Sequence, residues 1–355
     1  MSETTAPNPI ALPSRRTRPQ RLGRIEQGIA GIRPGAWLTA LVLLVMPVFA
    51  DDFFQYQIFG WTFVFGTIGM SFMFLAGYGG MVSLAQMTTA GLSGYLVAIL
   101  GSSAYADISL GWPWWAFVPV AILAATVFGT LVGIIAIRTQ GIYMIMITLA
   151  IAAAFYYFCN QNLEVFNGQR GFNSVLPPQV LGVDWHRPTP FYYLSLGVAA
   201  AAFGLTRFLS RSTFCLAVKG VRDDPRRMAS LGFSVPLLRI LAFAYASFIA
   251  AVAGILVVWF NGQISPGTAS VNAAIDILVI AVVGGLGHPI GPYIGALVFI
   301  LLRTFAIDLF HLLGFTSLRF NLLVGVGFLA IVAFSPDGVI GLWQRWRGSI
   351  LRPRR

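Results

Sequence analysis

Long apolar runs follow one another from Trp37 nearly to Pro336, and no other feature limits the fold of this 355-residue chain so strongly. A helix needs about 20 consecutive apolar residues to cross roughly 30 Å of hydrocarbon. Hydrophobic residues make up 57% of the chain and charged residues 10%, where an ordinary soluble domain has about 25% charged. Such a chain is one membrane domain with short polar tails rather than a string of soluble domains. Open strands cannot satisfy their backbone in lipid, so the spans are expected to be helices.

The expected fold class is therefore an all-α polytopic membrane protein with about 8–10 transmembrane helices. The candidate segments are 37–50, 53–76, 79–101, 113–137, 141–161, 190–209, 237–260, 274–287, 289–311 and 319–335. Val48-Phe49-Ala50 has the form of a signal-peptidase site. The basic stretch before it is long for a leader and further spans follow, so an uncleaved first helix is the preferred reading. Residues 1–35 and 337–355 read as basic tails, the first disordered, flanking a transmembrane domain at 36–336.

The net charge is +11. Its placement speaks for a membrane and lipid headgroups rather than for nucleic acid, because no basic patch is interleaved with exposed aromatics. All but four of the 23 basic residues, Arg170, Arg187, Arg303 and Arg319, fall in the tails or in alternate loops. Under the positive-inside rule this puts both termini in the cytoplasm of a bacterial inner membrane. Cys159 and Cys215 are isolated, and His186, His288 and His311 have no ligand spacing, so neither metal nor cofactor is expected. The only lysine, Lys219, lies in Val218-Lys219-Gly220. A phosphate-binding Gly-Lys-Ser/Thr loop is thus excluded, and no enzymatic motif stands out.

Three segments depart from plain spans. Gly77, Gly79 and Gly80 precede Ser83 and Gln86. They imply either tight helix packing or a broken helix lining a solute path. Gly284, Gly285 and Gly287, with Pro289, Gly291 and Pro292, cannot continue a regular helix. Broken or re-entrant segments are accordingly expected near 77–86 and 284–292. Residues 219–233 are basic, and Asp224 can cap a helix beginning at Pro225 and ending at Gly232. That segment is either a connecting loop anchored to headgroups or a short helix docking on a partner. Asp276, Arg303 and Asp308 fall inside spans, where charge is costly. Asp276 and Asp308 are weak candidates for the relay that an ion-gradient-driven secondary transporter of a small polar solute would need.

Taken together, the motifs resemble one family. Gly77-Tyr78-Gly79-Gly80 with Ser83-Leu84, Gly141-Ile142-Tyr143 with Thr148-Leu149-Ala150, and Arg222-Asp223-Asp224-Pro225-Arg226-Arg227 with Leu231-Gly232 resemble the LivM-type permeases of branched-chain amino acid ABC importers. So do Ile264-Ser265-Pro266, Gly284-Gly285-Leu286-Gly287, Gly291-Pro292 and Ser335-Pro336-Asp337-Gly338. Gln140 stands where that family usually has Arg, and Ala85 where it usually has Gly. The resemblance implies a permease subunit moving branched-chain amino acids or a related small polar solute. It implies a second homologous permease, two cytoplasmic ATP-binding subunits and an external solute-binding protein as partners. It also makes Arg222, Asp223, Asp224, Pro225, Arg226, Arg227 and Gly232 the ATPase-coupling residues. Gly77, Gly80, Ser83, Gln86, Thr148, Gly284, Gly285 and Gly287 are then the solute path.

Overall fold

The computed structural model describes residues 42–47, 49, 51–104, 108–139, 141–178, 185–312 and 338. The tails other than Gly338, the span expected at 319–335, most of that at 37–50 and the side chain of Asp308 lie outside the described residues. Met1–Phe49 is a unit of its own, helical at 42–47. The second unit, Ala50–Arg355, holds the helical bundle.

The helices of the bundle are α1 (Phe54–Tyr78), α2 (Gln86–Leu100), α3 (Trp114–Ala136), α4 (Ile142–Gln161), α5 (Pro188–Ser210), α6 (Thr213–Asp223), α7 (Pro225–Ser230), α8 (Val235–Asn261), α9 (Val271–Gly284) and α10 (Gly291–Leu312). Five of them, α1, α3, α4, α5 and α8, are long and apolar enough to cross a bilayer, and α9 and α10 add shorter apolar helices. Prolines open α5, α7 and α8 in the first turn, where a missing amide hydrogen costs nothing. Gly262, left-handed at φ 64°, ends α8. The first and last turns of α1, Phe54–Gly60 and Phe74–Tyr78, are wound as π-helix.

Helices α1 and α8 form the interior. Their apolar windows are 83% and 67% buried, against 28, 22 and 22% for α3, α4 and α5. α8 packs along α1, α2 and α3, and α10 along α1 and α9. Ile68 and Phe72 of α1, Leu256 and Phe260 of α8 and Ile280 of α9 share one core. The outer helices turn Leu123, Leu131, Met146, Tyr157 and Phe208 outward, a face suited to lipid tails. Several polar residues inside bond to their own helix: Thr62 donates to the Ile58 carbonyl at 2.6 Å and Thr67 to Phe63 at 2.7 Å.

The two ends of the bundle differ. One carries a two-stranded antiparallel ladder, β1 (Phe172–Asn173) with β2 (Gln263–Ile264), pairing Phe172 with Ile264 and Asn173 with Gln263. The starts of α1 and α5 lie at this end, where Thr189 donates to Gln55 at 3.1 Å and Tyr56 to the Phe260 carbonyl at 2.6 Å. The other end holds the close of α1, the α6–α7 elbow and the 285–290 turn.

The expected span 79–101 is helical only from Gln86. The span at 274–287 is the 14-residue α9, too short to cross alone. The expected elements include no helix over Thr213–Asp223, where α6 lies. Its signal was present: Cys215, Val218 and Val221 recur at helical spacing and are all buried.

Without a hydrophobic force between helices in lipid, close backbone approach at small residues carries the packing. Gly254 of α8 is the tightest case in the α2–α8 contact, since a Cβ there would overlap the Ala90 carbonyl. Gly197 of α5 faces open space. Gly254→Leu should therefore lower the thermal midpoint of the detergent-purified chain by a loss of about 1–3 kcal/mol or more, whereas Gly197→Leu should leave it unchanged.

Candidate functional site

The chain leaves helical geometry after Gly79 and regains it at Gln86. The last carbonyls of a helix have no intrahelical partner, and in lipid each needs one. Gly79 N–H bonds back to Phe74 and Leu75, and Met81 N–H reaches the Leu75 carbonyl at 3.0 Å. The Gly77 carbonyl accepts from Arg222 Nη1 at 2.5 Å. Gly80 is left-handed at φ 65°, and the Arg222 stem lies where its Cβ would be. Gly77 itself presses on the Leu286 carbonyl of the 285–290 turn, leaving no room for a side chain.

Within this break, Ser83, Gln86 and Thr148 are brought together in the interior. All are buried, at 0, 2 and 0% exposure. Leu84 N–H donates to Thr148 Oγ1 at 3.2 Å, while that hydroxyl donates to the Met144 carbonyl at 3.0 Å. Ala85 N–H turns to Ser83 Oγ at 3.4 Å. Ser71 of α1 donates to the Ile68 carbonyl at 2.6 Å, with Gln86 Oε1 3.4 Å away. The result is a polar cluster between α1, the break and α4.

Gly284, Gly285 and Gly287 stand at the α9–α10 turn. Gly284 packs directly on the Gly291 carbonyl. Gly285 is left-handed at φ 103° and lies against Gly338. Gly287 faces open space. The site of these three is therefore joined to the break by Leu286 on Gly77, and not to Ser83 or Gln86 directly. In the same turn His288 Nδ1 accepts from Ile290 N–H at 3.3 Å. Partial burial, and then the nearby Arg207, push its pKa below the ordinary 6.5. Asp276 of α9 lies within electrostatic reach of Arg303 of α10.

The elbow folds as its residues dictate. Asp224 Oδ1 accepts from Arg226 N–H and Arg227 N–H, both at 3.0 Å, and so caps α7. Gly232, at φ 88°, closes it: Gly232 N–H reaches Ala229 and Phe233 N–H reaches Met228. α7 buries none of its residues. Arg226, Arg227, Leu231 and Phe233 all point outward, a basic and apolar surface at the tip. Asp223 pairs with Arg222 Nε at 3.1 Å. Among Arg222–Gly232, Arg222 turns its guanidinium back to the bundle, a direction its sequence position did not reveal.

The family profile described as branched-chain amino acid transport system / permease component matches residues 55–333. The high-affinity branched-chain amino acid transport system permease protein LivM of Salmonella typhimurium is 25% identical over 260 residues, covering 66% of this chain and 58% of that protein. The probable branched-chain amino acid transport permease protein LivM of Methanocaldococcus jannaschii is 24% identical over 235 residues, 62% of this chain and 67% of that protein. The ribose import permease protein RbsC of Haemophilus influenzae is 25% identical over 217 residues, 58% of this chain and 64% of that protein. The chain thus spans under two thirds of the Salmonella relative. No solved structure matches it.

Asp224→Ala removes the cap, worth about 1 kcal/mol, so amide exchange at Met228 and Leu231 should speed up about fivefold while Asp224→Asn preserves the wild-type rates. His288 carries the pH signature of a lowered folded-state pKa. Both states are neutral above the ordinary 6.5; below it the unfolded chain takes up the proton first, so stability falls with acid. Between about pH 7 and about pH 5, the thermal midpoint should fall less in His288→Gln than in the wild type.

Proposed function

Because the chain belongs to the branched-chain amino acid transport system permease family, we propose that it is the membrane-spanning permease subunit of an ABC importer. Its solute is a branched-chain amino acid or a related small polar molecule. The exposed, Asp224-capped α7, set beside a broken helix with a buried polar cluster, carries this reading. Two cytoplasmic ATP-binding subunits dock on the elbow through Arg226, Arg227, Leu231 and Phe233. A second homologous permease completes the translocation pathway, and an external binding protein delivers solute at the opposite end.

The orientation follows from charge. Arg138, Arg207, Arg211, Lys219, Arg222, Arg226 and Arg227 belong to the elbow end, which is cytoplasmic under the positive-inside rule. Both termini are then cytoplasmic. The solute passes beside Gly77, Gly80, Ser83, Gln86 and Thr148, whose hydroxyl and amide groups offer hydrogen bonds at membrane depth. Gly284, Gly285 and Gly287 form the inner rim of that path. ATP hydrolysis resides in the partners, and alternating access is driven through the elbow.

The Arg226→Glu/Arg227→Glu double variant inverts the charge of the docking tip. ATP-driven solute uptake by cells or vesicles should drop by at least about tenfold, and the ATP-binding subunits should no longer co-purify; loss of a few charge-assisted contacts suffices for that. Unchanged uptake with unchanged co-purification would sink the assignment. Thermal shift of the cognate binding protein against leucine, isoleucine, valine, urea, short amides and ribose names the solute.

A further inference from the structure

The inward face of α6 meets the close of α1 at three points. Lys219 Nζ sits 4.3 Å from the centre of the Tyr78 ring. Arg222 donates to the Gly77 carbonyl and lays its stem over Gly80. Val218 Cγ1 lies 3.7 Å from where a Cβ on Gly79 would stand. Both cations therefore stand at the C-terminus of α1, where the helix dipole and the unpaired carbonyls favour positive charge. By contrast α7 touches its neighbour α6 through Met228, which packs on Gly220.

We infer that Lys219 and Arg222 are positioning residues that clasp the Gly77–Gln86 break to α6, so that displacement of the elbow is delivered to the break itself. This rests on the importer reading and adds the route by which the movement reaches the solute path. The break is the responsive part because residues 80–85 lack a helical ladder. Its far end is tied to α4 by Leu84 N–H on Thr148 and to α1 through Gln86 near Ser71. Movement at Arg222 thus ends at the buried polar cluster.

The pair with Asp223 does not compete for this role. Its side chains are 45% and 68% exposed, and an exposed ion pair contributes little. It also uses Nε, leaving Nη1 for the Gly77 carbonyl. The planar fork aims Nε and Nη1 at the two partners at once, a fixed geometry that a lysine ammonium lacks.

The test uses the complete importer in proteoliposomes, with the solute that the binding-protein thermal shifts identify. Arg222→Met keeps a stem over Gly80 and deletes the donors, and Lys219→Met deletes only the cation over Tyr78. Val82→Cys reports on the break by maleimide labelling, since the native Cys159 and Cys215 are both buried. With Arg222→Met, solute moved per ATP hydrolysed should fall about tenfold at a nearly unchanged ATPase rate, and the ATP-dependent change in Val82→Cys labelling should vanish. Lys219→Met should lower the same ratio about threefold, which carries the test if Arg222→Met does not assemble. Variants that match the wild type in ratio and labelling would overturn the clasp while leaving the importer reading in place. Wild-type vesicles that import no solute on adding ATP would overturn that reading, and the clasp with it.

Discussion

In hydrocarbon a peptide group has no water to turn to, so every amide and carbonyl must find a partner within the protein. Regular helices meet this demand by themselves. A helix that stops inside the bundle does not, and α1 stops at Tyr78. The structure around it supplies the missing partners. Arg222 comes from an amphipathic helix to hold the Gly77 carbonyl, and Thr148 comes from α4 to hold Leu84 N–H. The break, the elbow and the polar cluster are thus consequences of one interrupted ladder.

The same interruption explains why glycine sits where it does along this end. Gly77 must let the Leu286 carbonyl approach, and Gly284 must do the same for Gly291. A chain running out of helical geometry between packed helices has no space for side chains on its crowded flank. The far flank is different: α3, α4 and α5 leave most of their apolar windows exposed, although α3 packs on α8 through Gly129 and Gly133. Burial is thereby concentrated in α1 and α8, and most of the irregular segment is buried beside them.

Much of this was legible in the residues. Apolar run length located α1, α3, α4, α5 and α8 to within a few residues, because burial of a helix in lipid imposes length directly. Asp224, Pro225 and Gly232 announced α7, since capping chemistry is local. The break at 77–86 was readable from its glycines. Helix α6 went unread although Cys215, Val218 and Val221 recur at helical spacing, because that apolar face is short and its basic residues resemble those of a connecting loop. The inward turn of Arg222 was unreadable in principle: it depends on a carbonyl 145 residues away in the chain. The ladder of Phe172 with Ile264 escaped for the same reason, being two residues long and wholly non-local.

The elbow therefore contains two kinds of arginine that a sequence motif cannot tell apart. Arg226 and Arg227 are outside, on a helix that buries nothing, and are free to take a partner's surface. Arg222 is also partly exposed, but its guanidinium is bonded to the bundle. A surface contact and an internal contact on one rigid pair of short helices make a lever only if the internal end moves something soft. Helix α8 is not soft, being locked by close backbone contacts with α2. Residues 80–85 are, because few hydrogen bonds, each worth about 1 kcal/mol net, hold them in place. A push on the tip is then most cheaply relieved by shifting the break, which is where the polar groups at membrane depth reside.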